Sequence, residues 1–246
     1  MLISVINPNT TSSMTGKIGR CARSVAGAGT TIEALTPTMG PASIESHYDE
    51  ALAVPGLLTE IAAGERRGVD GYVVACFGDP GLDAAREIAR GPVIGIAEAA
   101  MRTAMLLGRS FGVVTTLGRT RGRAWELVHR YGAAAACRTV RASEIPVLDL
   151  ELPGSAARDA IAQECKRAVA EDDVDVIVLG CAGMADLCRE LSDLVGVPVV
   201  DGVAAATTMV EGLVRLGLTT SHRSEYAPPP PKRYRGLLRD FQIAPA

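Results

Sequence analysis

The chain has 246 residues, a formal net charge of -3, and 4% aromatic against 48% hydrophobic residues. That length suits one large α/β domain or two small ones, and the mild charge offers no basic face to nucleic acid or an anionic membrane. No apolar run reaches the roughly 20 residues of a membrane span, and Met1 to Asn7 lacks the charged head and long apolar core of an export signal. The six cysteines form no C-x-x-C pair, so free thiols in a reducing cytoplasm are expected. His47, His129 and His222 show no metal-ligand spacing, and no metal is expected.

In chain order, Leu2 to Ile6 reads as a short strand ended by the turn Asn7-Pro8-Asn9-Thr10. Thr10 to Ser13 offers N-caps for a helix running to about Val25, and Thr30 to Leu35 is the second strand. Gly27-x-Gly29 precedes that strand and lacks a third glycine before a helix, which excludes a dinucleotide fingerprint. Thr36 to Ala53 reads as a long irregular loop, functional or disordered, and Ala51 to Arg67 as a helix interrupted near Pro55-Gly56. A strand ending at Cys76, a helix Leu82 to Arg90, a strand Val93 to Ile96 and a helix Ala97 to Leu107 follow.

The order then repeats: strand Ser110 to Thr115, helix Arg121 to Tyr131, strand Cys137 to Ala142, loop Ile145 to Pro153, helix Ser155 to Glu171, a strand ending at Cys181, strand Val197 to Val200 and helix Ala204 to Leu216. This alternation predicts two pseudo-symmetric, doubly wound α/β halves, each a parallel sheet flanked by helices with right-handed crossovers, and a site in the cleft between them. The expected division is 1-97 plus 207-222, then 98-206. Residues 223-246 form a tail whose Pro228 to Pro231 favours an extended polyproline helix.

The repeat is closest around two cysteines. Val69-Asp70-Gly71-Tyr72-Val73-Val74-Ala75-Cys76 matches Val174-Asp175-Val176-Ile177-Val178-Leu179-Gly180-Cys181. Pro92-Val93-Ile94-Gly95 later matches Pro198-Val199-Val200-Asp201, with one inserted residue. A single buried cysteine at a strand end is ordinarily a small core hydrophobe. Two at equivalent points of a duplication call for another explanation, whereas Cys21, Cys137, Cys165 and Cys188 have no such counterpart and read as core. Ligand sites of open parallel sheets lie beyond the carboxyl ends of the strands. A thiol there, at the start of a helix, has its thiolate favoured by the helix dipole.

Two thiols facing each other across one cleft suit a reaction in which one takes a proton from carbon and the other delivers one to the opposite face. Phe77-Gly78-Asp79 and Ala182-Gly183-Met184 are placed to aim backbone N–H groups at a developing enolate oxygen. Asn9 and Thr115-Thr116 stand at corresponding strand ends as candidate ligand contacts, although Asn7-Pro8 equally reads as a plain turn. No P-loop is present, and Lys17, Lys166 and Lys232 lie in helices or the tail, away from where a pyridoxal lysine belongs.

Ile6-Asn7-Pro8-Asn9-Thr10, Pro41-Ala42-Ser43-Ile44-Glu45, Ala75-Cys76-Phe77-Gly78-Asp79-Pro80-Gly81-Leu82, Thr115-Thr116-Leu117 and Leu179-Gly180-Cys181-Ala182-Gly183-Met184 resemble the hydantoin racemase family of the aspartate/glutamate racemase superfamily. The likeness covers roughly residues 1 to 221. It implies a cofactor-independent isomerase with Cys76 and Cys181 as the acid/base pair. It also implies a pocket lined by Asn9, Ile44, Phe77, Gly78, Asp79, Thr115, Thr116, Ala182 and Gly183, and a cytoplasmic homo-oligomer, a tetramer or hexamer. The superfamily's amino-acid racemases follow their cysteines with small polar residues. Phe77 and Ala182 here favour a neutral ring, the 5-substituted hydantoin, with Phe77 and Ile44 meeting its apolar substituent. The rivals are allantoin racemase, maleate isomerase or an amino-acid racemase and, from another class, a non-enzymatic binder of small ligands.

Overall fold

The computed structural model describes residues 1–152 and 156–242. Among the described residues, eight strands and eight α-helices alternate. β1 (Leu2–Ile6), β2 (Thr31–Leu35), β3 (Gly71–Val74) and β4 (Val93–Gly95) form one sheet, ordered β2-β1-β3-β4. β5 (Phe111–Thr115), β6 (Cys137–Ala142), β7 (Val176–Leu179) and β8 (Val199–Val200) form a second, ordered β6-β5-β7-β8. Every pairing is parallel. The two orders are one order written twice, which is the expected architecture. β3 and β7 are buried along their whole lengths, so they read as continuous apolar runs instead of alternating ones.

The last helix of each repeat crosses over. α4 (Ile96–Leu107) packs on β7 of the second sheet, and α8 (Gly202–Arg215) packs on β3 and β4 of the first. The two helices also pack on each other. Their starts nearly touch: a Cβ on Gly202 would lie 2.5 Å from the Ile96 carbonyl oxygen. Residues 96 and 202 are equivalent in the repeat, so this contact marks the local twofold axis.

The ends of these helices show how the two copies diverged. α8 is capped by its own Asp201, whose Oδ1 accepts from Val203 N at 3.2 Å and Oδ2 from Ala204 N at 2.8 Å. The Cys21 thiol of α1 (Ser12–Val25) adds a third bond at 2.9 Å. α4 has Gly95 at that place. Its cap comes from Asp79 in the loop after Cys76, which accepts from Ala97 N at 3.1 Å, Glu98 N at 3.0 Å and the Tyr131 hydroxyl at 2.7 Å. A Cβ on Gly95 would sit 2.2 Å from the Asp79 carboxyl carbon. One carboxylate therefore fills the same slot in each half, delivered from a different backbone position.

α2 runs unbroken from His47 to Arg67 with Pro55 inside it, so it is neither interrupted nor as late to start as expected. Ser46 caps it, its side chain accepting from Asp49 N at 3.1 Å, and the preceding loop ends there instead of at Ala53. Pro55-Gly56 marks a crossing: a Cβ on Gly56 would meet the Met39 carbonyl oxygen at 2.3 Å. α3 spans Leu82–Ile88, α5 Arg121–Arg130, α6 Ala157–Asp172 and α7 Cys188–Val195. The expected loop end at Pro153 and helix start at Ser155 lie outside the described residues, as does the tail beyond Gln242. In the described tail, Tyr226 holds to α3 through Asp83 and Arg86, while Leu237 stands fully exposed.

Candidate functional site

Cys76 and Cys181 line one cavity of about 200 Å³ at the carboxyl ends of β3 and β7. Each is the first residue of a reverse turn: Asp79 N donates to the Cys76 carbonyl at 2.9 Å, and Met184 N to the Cys181 carbonyl at 3.1 Å. Both turns close on the cysteine carbonyl, and the second continues as the 3₁₀ helix Ala182–Leu187. Around them the wall takes Asn9, Ile44, Phe77, Gly78, Thr115, Thr116 and Ala182, which brings together nine of the eleven residues singled out in sequence, the two cysteines included.

The other two stand elsewhere. Asp79 is buried beneath the cavity with both carboxylate oxygens committed to the α4 cap and Tyr131. Burial pushes its carboxyl up to about 6, opposed by the Tyr131 hydroxyl and the two backbone N–H groups. Gly183 does not border the cavity either; its carbonyl accepts from Lys17 Nζ at 3.3 Å. Neither residue is part of the cavity wall.

The polar wall is only partly free. Asn9 Oδ1 accepts from Asn7 Nδ2 at 2.7 Å and Thr11 N at 2.9 Å, leaving its amide hydrogens facing Met14 Sδ and the cavity. The Thr115 hydroxyl meets Thr120 Oγ1 at 3.1 Å. The Thr116 side chain has no hydrogen-bond partner among the described residues, and it lines the cavity.

Sequence reasoning missed Glu45, Ser46, His47 and Glu50, all at the start of α2, together with Met14, Arg119, Thr120, Arg123, Ala124 and Val147. Ser46-x-x-Asp49 is a capping signal that starts the helix at His47 and brings that group to the mouth. Glu50 lies 3.2 Å from Arg123 Nε. Burial raises its carboxyl and the Arg123 guanidinium opposes that rise. Arg123 Nε is buried without a well-aligned acceptor.

Cys76 departs from expectation electrostatically. α3 begins at Leu82, six residues beyond the sulfur, so its dipole does not act there. Burial pushes the thiol well above its ordinary value. An N–H bond from Gly78 opposes the rise, and Cys181, Glu50 and Asp79 add to it. Among the described residues, no three His, Cys, Asp or Glu side chains gather to hold a metal ion, and no helix is long and apolar enough to cross a membrane.

The Asp/Glu/Hydantoin racemase family model matches residues 3–210. The chain belongs to that family. It is 51% identical to a hydantoin racemase of Rhizobium meliloti over 93% of this chain and 95% of that one. It is 50% identical to an allantoin racemase from Klebsiella pneumoniae whose structure superposes with a TM-score of 0.96, covering 98% and 99% of the two chains. An allantoin racemase from Pseudomonas fluorescens is 43% identical, with a TM-score of 0.92 and coverage of 96% and 100%.

Proposed function

We propose that this member of the family racemises 5-substituted hydantoins at C5 by two-base proton transfer between Cys76 and Cys181. One observation carries the reading: both thiols open into one cavity from equivalent turns of a duplicated fold. One thiolate removes the C5 proton, and the electron pair moves into the adjacent ring carbonyl as an enolate. The opposite thiol then gives its proton to the other face of C5. The products are the mirror-image ring and two cysteines with exchanged protonation. The backbone N–H groups of Phe77 and Ala182 in the cavity wall and the Thr116 hydroxyl are donors for the enolate oxygen.

The raised Cys76 pKa fits a base for carbon acids. Burial makes the thiolate rarer and, once formed, a stronger base, so removal of the C5 proton is less uphill. A second reading, 5-ureidohydantoin (allantoin), is favoured by the Glu50–Arg123 pair in the wall. It sets an acceptor beside a donor, as a ureido group requires, whereas Ile44 and Phe77 suit an apolar substituent.

Both compounds are assayed as single enantiomers in heavy water, by optical rotation and by deuterium at C5. Cys76→Ser and Cys181→Ser are each expected to lower racemisation by at least about a thousandfold, with exchange from one enantiomer surviving. Racemisation at the parent rate in both variants would refute the assignment to the two thiols, and a parent that binds either ring without racemising it would be a non-enzymatic binder. The same reading takes the protein as a cytoplasmic homo-oligomer, which light scattering on the purified chain measures.

A further inference from the structure

Two cations beside the cavity make contacts that cross the molecule. Arg123 stands on α5, which belongs with the sheet that carries Cys181. Its Nη2 nevertheless donates at 2.8 Å to the carbonyl of Gly78, in the turn after Cys76. Lys17 stands on α1, which belongs with the sheet that carries Cys76, and its Nζ donates at 3.3 Å to the carbonyl of Gly183, in the turn after Cys181. Gly78 and Gly183 are equivalent, each two residues past its cysteine. α1 and α5 are equivalent too, each following the β1 or β5 strand of its own sheet. Two different side-chain types thus reach the same backbone atom from matching helices, in opposite directions across the axis.

The glycine explains why such a hold matters. It is the third residue of a turn closed by the hydrogen bond back to the cysteine carbonyl. After Cys76 that turn stands alone, and with glycine there the peptide before it flips readily between the two common turn types, whereas after Cys181 the turn opens the 3₁₀ helix Ala182–Leu187. In the observed conformation Gly78 is not at positive φ, and its N–H lies close enough to the Cys76 sulfur to oppose the rise that burial gives the thiol. A flip would turn that N–H away. A cation on the glycine carbonyl fixes the peptide that follows the glycine, and with it one end of the turn, through a charge-assisted bond of the stronger kind.

We propose that Arg123 and Lys17 are positioning residues, each holding by its glycine carbonyl the turn behind the opposite half's cysteine, so that the N–H groups of that turn stay aimed at the sulfur. Arg123 has a second task, since its Nε lies 3.2 Å from Glu50 and shields Cys76 from that carboxylate. This inference rests on Cys76 and Cys181 being the reacting thiols, but its test does not depend on the ring compound.

The test is site-resolved alkylation by iodoacetamide in the full chain at about pH 8, read by mass spectrometry, because only the thiolate reacts. Arg123→Gln should slow Cys76 about tenfold, the equivalent of one pKa unit, and leave Cys181 within about twofold of its parent rate. Lys17→Gln should do the reverse. Arg123→Lys and Lys17→Arg keep a cation and should restore the affected thiol to within about threefold. Racemisation should fall in kcat, with KM little changed in the Lys17 variants, whose side chain is outside the cavity wall. The crossed pattern separates a local hold from general loosening, which slows or exposes both thiols alike. Equal effects on both cysteines, or none, overturn the proposal. The Lys17 arm stands by itself if Arg123→Gln does not fold. A crossed alkylation pattern in a chain that racemises neither compound would keep the two holds and remove the activity.

Discussion

Exchanging Asp79 and Gly95 tests whether one carboxylate slot is filled from two places. Asp79→Gly alone orphans Ala97 N, Glu98 N and the Tyr131 hydroxyl, all bonded to Asp79 within 3.1 Å. Unsatisfied buried donors cost about 1–3 kcal/mol each, and release of a carboxylate that burial has raised by about two pKa units returns roughly 3 kcal/mol. The net expectation is a loss of about 2 kcal/mol, close to what a strong N-cap contributes. Glycine keeps the positive φ of 44° at this position without strain. Gly95→Asp alone forces a second carboxylate against the first, with Cβ 2.2 Å from the Asp79 carboxyl carbon, and should cost at least about 3 kcal/mol. Gly95 already has the extended backbone of an N-cap (φ -84°, ψ 147°), and an aspartate there reaches Ala97 N and Glu98 N as Asp201 reaches Val203 N and Ala204 N. The double exchange should therefore lie within about 1 kcal/mol of the parent, a coupling of several kcal/mol between the two positions. Thermal melts of the four proteins read this at about 2–4 °C per kcal/mol for a chain this long. A double variant as unstable as the two single losses added together would show that the caps are not interchangeable.

Three further outcomes follow from the same geometry. Asp79 has its folded pKa raised from 3.8 to about 6, so its stabilising share is full below the lower value and is lost as pH rises through the upper one. The parent should lose roughly 2–3 kcal/mol relative to Asp79→Asn between about pH 4 and pH 7, and a flat difference across that window would contradict the assigned environment. Gly202→Ala brings a Cβ to 2.5 Å from the Ile96 carbonyl oxygen and should cost about 1–3 kcal/mol; an unchanged melt would mean that α4 and α8 part easily. Glu45 Oε1 accepts from Val147 N at 2.7 Å, tying the loop before α2 to the segment after β6 at the cavity mouth. Glu45→Ala should raise KM about fivefold with kcat largely kept, and a fall in kcat at constant KM would place Glu45 in the chemistry instead.

The fold was legible because both faces of β3 and β7 are covered, so their sequences are unbroken apolar runs, and because each run recurs with its cysteine. Where reading stopped, contacts remote in sequence took over. Pro55 signals a break locally, yet α2 continues because Ser46 caps it and the Met39 loop crosses at Gly56. Asp79 follows the cysteine closely enough to pass for a ligand contact, and only Gly95 and Tyr131 reveal it as a cap. The helix-dipole argument for Cys76 failed because α3 waits until Leu82. Arg123 and Lys17 reach across 45 and 166 residues, and nothing in their neighbourhoods marks them apart from other helix-surface cations.

What the two halves keep alike and what they let differ follows from the proposed reaction. Mirror-image rings have equal free energy in water, so passage in either direction draws on both thiols, each as base in one direction and as acid in the other. A turn that failed one sulfur would raise the barrier for both enantiomers at once. Selection acting on rate would then hold the two cysteine turns, their glycines and the cation on each glycine carbonyl to a common geometry. The caps of α4 and α8 sit behind these turns, where only the presence of a carboxylate matters and not the residue that supplies it. There the copies have drifted, to Asp79 with Gly95 in one and Met184 with Asp201 in the other.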